Sequence, residues 1–127
     1  MNKISNKNLS ENDTQNLFLN AIGKEIYRLR KIKSMTGAEL ASHIGISQQQ
    51  LSRYECGVCN ISASKLIQLL LTLDTSAESF FKNVFINIFE KNREVAKLYS
   101  NIFISKYDNE AEFKLPYDNK LEQSIFY

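Results

Sequence analysis

Residues 36–57 read TGAELASHIGISQQQLSRYECG, and local chemistry alone writes two short helices into them. Thr36 and Glu39 stand three apart, in the order that lets a hydroxyl and a carboxylate satisfy the free N–H groups of a helix start. Gly45 can adopt positive φ and stop that helix after about two turns. The device then repeats, with Ser47 as cap, Gln50 three residues on and Gly57 past the end. Two capped helices therefore stand head to tail, joined by Ile44, Gly45 and Ile46. The second opens on three glutamines, carries Ser52 and Arg53 a turn later, and runs into a C-x-x-C pair, Cys56 and Cys59. Amides and a guanidinium suit the reading of base edges, whereas paired cysteines suit metal or redox chemistry.

The flanks are helical as well. Over residues 17–33, Leu17, Leu19, Ala21, Ile22, Ile26, Leu29 and Ile32 recur at helical spacing with basic residues between them. A fourth helix is expected from Ser62 to Leu73, so rich in leucine that it should be central. TSAE opens a fifth, in which Phe80, Phe81, Val84, Phe85, Ile88 and Phe89 form a broad aromatic face that one small domain need not cover completely. The stripe resumes at Val95, Leu98, Tyr99, Ile102 and Phe103, and from Tyr107 onward strand, loop and frayed helix stay open. The expected fold class is all-α. Residues 1–16 are read as a flexible arm, 17–74 as a helix-turn-helix domain completed by a fifth helix, and 75–127 as a helical or irregular extension.

Bulk properties narrow the function classes. A chain of 127 residues with 43% hydrophobic content supports one core. No apolar run approaches the roughly 18–20 residues of a membrane span, and the first residues are polar where a signal peptide is apolar, so a cytoplasmic protein is expected. In a reducing cytosol two cysteines are a poor structural disulfide, and they are too few for a zinc site. Residues 24–73 hold seven Lys/Arg against three acids, an excess of +4 in a chain whose net charge is +2. A basic centre of this kind suits a polyanion.

Two short helices at a tight turn, between longer amphipathic ones, form the arrangement in which the second helix can enter a DNA major groove. Gln48 and Gln49 project beyond its capping turn, where an amide can pair with adenine N6 and N7. Ser52 and Arg53 fall on the neighbouring face, where a guanidinium can pair with guanine or clamp a phosphate. Leu51 and Tyr54 should point back to the core.

The stretch GKEIYRLRKIKSMTGAELASHIGISQQQLSRYECG resembles the helix-turn-helix of phage repressor and Cro-like transcription factors, over roughly residues 22–73. SQQQLSRYE and MTGAELA are similar, more narrowly, to enterobacterial regulators encoded with fimbrial operons that reduce flagellar gene expression. The resemblance implies a repressor that binds double-stranded DNA as a homodimer. It makes Gln48, Gln49 and Arg53 the base readers, with Ser52 and Gln50 as helpers. Thr36, Gly37, Ser47, Gln50, Lys31, Lys33 and Asn60 become candidates at the DNA backbone. It also implies a partly buried ion pair between Arg30 and Glu55. Two features depart from the family pattern: Gly37 stands where relatives carry glutamine, and Val58, Cys59, Asn60 and Ile61 make a loop without basic residues. With few phosphates neutralised a single domain should bind weakly, so a dimer is expected; the Phe80–Phe89 stripe is its candidate interface, with ordinary core packing against the first and fourth helices as the equal alternative.

Cys56 falls at the end of its helix, where the dipole disfavours a thiolate. The lone His43 offers no company for zinc, and no cofactor or small-molecule ligand is implied. No phosphate-cradling glycine loop or nucleophile with a base stands in the chain, so an enzyme is not expected. Two other readings remain: an antitoxin-type module whose C-terminal segment binds a partner protein, and a thiol-based sensor.

Overall fold

The computed structural model describes residues 10–104, all of whose regular structure is helical. In chain order the helices are α1 (Glu11–Ile32), α2 (Gly37–His43), α3 (Gln48–Cys56), α4 (Ala63–Thr72), α5 (Ala77–Lys91) and α6 (Arg93–Phe103). The all-α expectation holds, and the extension is helical as far as Phe103. Residues 1–9 of the expected arm, and the stretch from Tyr107 whose structure stayed open, lie outside the described residues.

Each helix begins on a side-chain cap. Ser10, Thr36, Ser47, Ser62, Ser76 and Asn92 each accept a hydrogen bond from the backbone N–H three residues on, which satisfies donors a helix start otherwise leaves open. The first cap corrects the sequence reading. Ser10 and Asp13 form a full reciprocal box, so α1 starts at Glu11 and residues 11–16, expected as flexible arm, are helix. The signal was the spacing Ser-x-x-Asp, a variant of the usual Glu or Gln box.

One core joins all six helices. Ile26 of α1, Leu40 of α2, Leu51 of α3, Leu69 of α4, Phe80 and Ile88 of α5, and Ala96 of α6 are fully or almost fully buried in a single cluster. That cluster crosses the expected boundary at 74/75, so α5 belongs with the helices before it. Here the proposed interface is overturned. Phe80, Val84, Phe85 and Ile88 are 0%, 1%, 3% and 1% exposed, and Phe81 and Phe89 pack half-buried against the same core. The cover missing from the sequence reading is α6, which lies against α5 and brings Phe103 to 5.2 Å from Phe85. Tyr99 of α6 meets Phe18 of α1 edge to face at 4.9 Å.

The expectation for α4 also fails in part. Leu69, Leu70 and Leu73 are buried, but Ile67 and Leu71 are 65% and 82% exposed, so the helix is not central. A polar network unforeseen in the sequence ties α1 to α5. The buried Glu25 carboxylate takes two bonds from Arg28, at 2.9 and 2.7 Å, and one from Asn83 Nδ2 at 2.9 Å. Hydrogen bonding to Glu25 holds the Arg28 guanidinium above its ordinary pKa.

Phe80→Ala should cost about 3–5 kcal/mol through the cavity it leaves, read as a lower urea midpoint. The exposed Leu98→Ala should stay within about 0.5 kcal/mol of wild type.

Candidate nucleic-acid interface

The position of α3 is set by how near α1 comes to it. A Cβ placed on Gly23 would fall 2.4 Å from the Tyr54 carbonyl oxygen and 2.6 Å from that of Glu55, distances no side chain can occupy. A Cβ on Gly57, which sits at φ +71°, would fall 2.8 Å from Asn20 Cα. The two helices therefore touch backbone to backbone at the C-terminal end of α3. The sequence signal for Gly23 is a glycine inside an otherwise strong helix, which costs about 1 kcal/mol unless close approach requires it.

A side-chain clamp lies beside this contact. Arg30 Nε and Nη2 donate to Glu55 Oε2 and Oε1 at 2.7 and 3.0 Å, and Arg30 Nη1 donates to the Met35 carbonyl at 2.9 Å. The expected Arg30–Glu55 pair is thus formed, each side chain only 10% exposed, and Arg30 also grips the turn into α2. The Glu55 hydrogen bonds raise the already high pKa of the Arg30 guanidinium. Desolvation offsets much of such a pair's Coulomb gain, so its chief effect is geometric.

The turn between α2 and α3 follows the sequence reading. Thr36 and Glu39 close their box at 3.0 and 2.8 Å. Gly45, at φ +71°, lets the Ile46 N–H reach the Ala41 carbonyl at 3.0 Å. At the start of α3 only half of the expected device forms. Ser47 Oγ accepts from the Gln50 N–H at 3.0 Å, but the Gln50 side chain turns away and donates from Nε2 to Cys59 Sγ at 3.2 Å. Gln50 is therefore half-buried and engaged, unlike its two neighbours.

What remains outward on α3 is one face. Gln48, Gln49, Ser52 and Arg53 are all exposed, while Leu51 and Tyr54 are buried as expected. Residues 48 and 52, and 49 and 53, are one turn apart, so the four side chains stand together. None of them hydrogen-bonds through its side chain to another described residue. Gln48 lies over Gly37, where a Cβ would meet its Nε2 and Cγ at 3.6 and 3.7 Å, ordinary contact distances.

The backbone candidates are more scattered. Thr36 and Ser47 cap α2 and α3, and Asn60 accepts a bond from Gln15 of α1 at 3.0 Å. Lys31 rests 5.6 Å from the Tyr27 ring centroid, and Lys33 is 3.8 Å from Asp74. Cys56 is exposed and Cys59 half-buried, both as free thiols, and His43 Nδ1 sits 2.8 Å from the Glu39 carbonyl. Among the described residues no three His, Cys, Asp or Glu gather where they could hold a metal, and no helix is long and apolar enough to cross a membrane.

This arrangement of helices is that of a helix-turn-helix domain. The profile of the family described as "Helix-turn-helix domain" matches residues 23–86, just over half of the 127, and the chain belongs to that family. It is also similar to two uncharacterized HTH-type transcriptional regulators of Rickettsia. The one from Rickettsia conorii is 36% identical over 63 residues, which cover 50% of each chain. The one from Rickettsia prowazekii is 35% identical over 63 residues, 50% of this chain and 48% of its own. The chain thus spans about half the length of the curated relatives it matches. The crystal structure of the clp gene regulator ClgR from Corynebacterium glutamicum superposes with a TM-score of 0.57 at 21% identity, over 65% of this chain and 89% of that one. At that identity the likeness is one of fold.

Two substitutions test the clamp by urea denaturation. Arg30→Ala should destabilise by about 3–5 kcal/mol, because Glu55 is left buried without its partner, and Arg30→Met combined with Glu55→Leu should cost distinctly less. Gly23→Ala should cost about 3 kcal/mol or more, since its methyl has only backbone to displace.

Proposed function

We propose that the chain is a sequence-specific, double-stranded-DNA-binding transcriptional regulator that inserts α3 into the major groove. The observation that carries this reading is the outward face of α3: four exposed, uncommitted polar side chains on a helix clamped from behind by α1. Amide and guanidinium groups there match base edges. Gln48 and Gln49 are suited to adenine, Arg53 to guanine or a phosphate, and Ser52 to either kind of base. Thr36, Gly37, Ser47, Lys31, Lys33 and Asn60 are the proposed backbone contacts. Gln50 serves differently from what the resemblance implies, because its bond to Cys59 ties the loop after α3 to the helix.

In this reading regulation is by occupancy. Two copies on paired half-sites, about one turn of DNA or ~34 Å apart, block or redirect polymerase. Few cationic side chains border the face, so a single copy binds weakly and the pair supplies the affinity. The names of the Rickettsia relatives support transcription as the process. The narrower role, a repressor linking fimbrial expression to motility, has the likeness of MTGAELA and SQQQLSRYE as its support.

The test is selection from a randomised duplex pool, with the wild type beside a Gln48→Ala/Arg53→Ala variant whose fold is checked by circular dichroism. The wild type should enrich a roughly palindromic site. The variant should lose about 1–3 kcal/mol per base contact, enough to erase the enrichment. Lys31→Ala should weaken all sequences alike and lower the salt slope by about 1. Equally flat pools for both proteins would refute direct readout.

A further inference from the structure

Three of the four glycines are held to glycine by the structure. Backbone atoms of another helix stand 2.4 and 2.8 Å from where a Cβ would fall on Gly23 and Gly57, and Gly45 sits at φ +71°. Gly37 is under no such constraint. It is the first residue of α2, directly after the Thr36 cap, and lies outside the left-handed region. A Cβ there would meet Gln48 Nε2 at 3.6 Å, Gln48 Cγ at 3.7 Å and Leu51 Cδ2 at 3.9 Å, all ordinary contacts. Alanine would fit without strain, would favour the helix and would restrict the unfolded chain. Glycine at this position therefore lowers stability and relieves no clash.

What the missing methyl changes is the surroundings of one amide. All three atoms it would touch belong to α3, and two of them are in the side chain of Gln48, an exposed residue that opens the outward face. No described residue bonds that side chain. Gln50, two positions on, shows the opposite condition, with its Nε2 held by Cys59 Sγ at 3.2 Å. The same helix thus carries one glutamine fixed by a partner and one with open space where a wall could stand.

We propose that Gly37 broadens the DNA sequence that the α3 face accepts, by leaving the Gln48 amide free to turn and so to serve more than one base at its position. This rests on the DNA-binding function proposed above and adds to it a property of the site. An amide held in one orientation presents a donor and an acceptor in fixed order, the pattern of adenine N6 and N7. Turned over or shifted, the same group donates to guanine O6 or N7 or to thymine O4, or accepts from cytosine N4. A mobile Gln48 therefore contributes contact with little discrimination, and one base pair of each half-site is degenerate. A methyl at residue 37 would pack on Cγ and Nε2 and narrow the choice.

The test compares wild type with Gly37→Ala, both as full chains. Urea denaturation comes first, and the midpoint of Gly37→Ala should rise; a fall would overturn the premise that the space is open. In the free proteins, 15N relaxation of side-chain amides should show Gln48 more mobile than Gln50 in wild type, and less mobile in Gly37→Ala than in wild type. Equal mobility of Gln48 in the two proteins would overturn the proposal without any DNA present. In selection from a randomised duplex pool, Gly37→Ala should keep the wild-type site but sharpen one position of each half-site, raising the ratio of the best base to the next by about threefold or more. That position should be the one whose preference Gln48→Ala changes. An enriched wild-type pool whose ratios are unaltered by Gly37→Ala, or a uniform loss of affinity at every position, would overturn this proposal alone. A wild-type pool without enrichment would overturn the DNA-binding reading and this proposal with it.

Discussion

Everything on the working side of this molecule depends on the close approach of α1 and α3 at Gly23. With backbone oxygens of Tyr54 and Glu55 where a side chain would begin, the end of α3 cannot slide or roll against α1. Arg30 then fixes the remaining freedom, holding Glu55 with one edge of its guanidinium and the Met35 carbonyl with another nitrogen. One side chain thus locks α3 and the entry to α2 to the same helix. Preorganisation of this kind lowers the ordering cost of binding.

The clamp divides the residues of α3 by role. Leu51 and Tyr54 fill the core and Glu55 faces Arg30, which leaves the opposite side to Gln48, Gln49, Ser52 and Arg53. Gln50 falls between the two groups, and its amide goes to Cys59. That bond gives the second cysteine of the C-x-x-C pair a structural part, anchoring the loop between α3 and α4. Cys59 belongs to the support of the face, with the glutamines ahead of Gln50 forming the face itself.

Much of this was legible in the sequence, for a physical reason. Caps, positive-φ glycines and 3.6-residue periodicity are local, so the α2–turn–α3 unit could be written from Thr36, Gly45, Ser47 and Gly57 alone. What was not legible depended on partners far along the chain. The Phe80–Phe89 stripe looked incompletely covered because the apolar row of α6, Val95 to Phe103, read as a continuation of the stripe and not as its cover. The burial of Glu25 could not be read locally, because one of its donors, Asn83, lies 58 residues away. Leucine-rich α4 looked central because composition counts apolar residues without saying which way Ile67 and Leu71 face. At the start of α1 the signal was present and unread: Ser10 and Asp13 form a box with the shorter acid. Gly23 was likewise visible as a glycine in a helix, but its meaning lay in two carbonyls of another helix.

The central claim, that the outward face of α3 meets DNA, is tested most directly by amide and side-chain NMR shifts of the labelled full chain during titration with an enriched duplex. The account predicts the largest changes at the side-chain amides of Gln48 and Gln49, at the Arg53 guanidinium, and at the backbone N–H groups that open α3. It predicts little change along α5, whose apolar face is closed. Shifts concentrated on α4 or α6 with α3 silent would contradict it, and would place the binding surface on a different side of the domain.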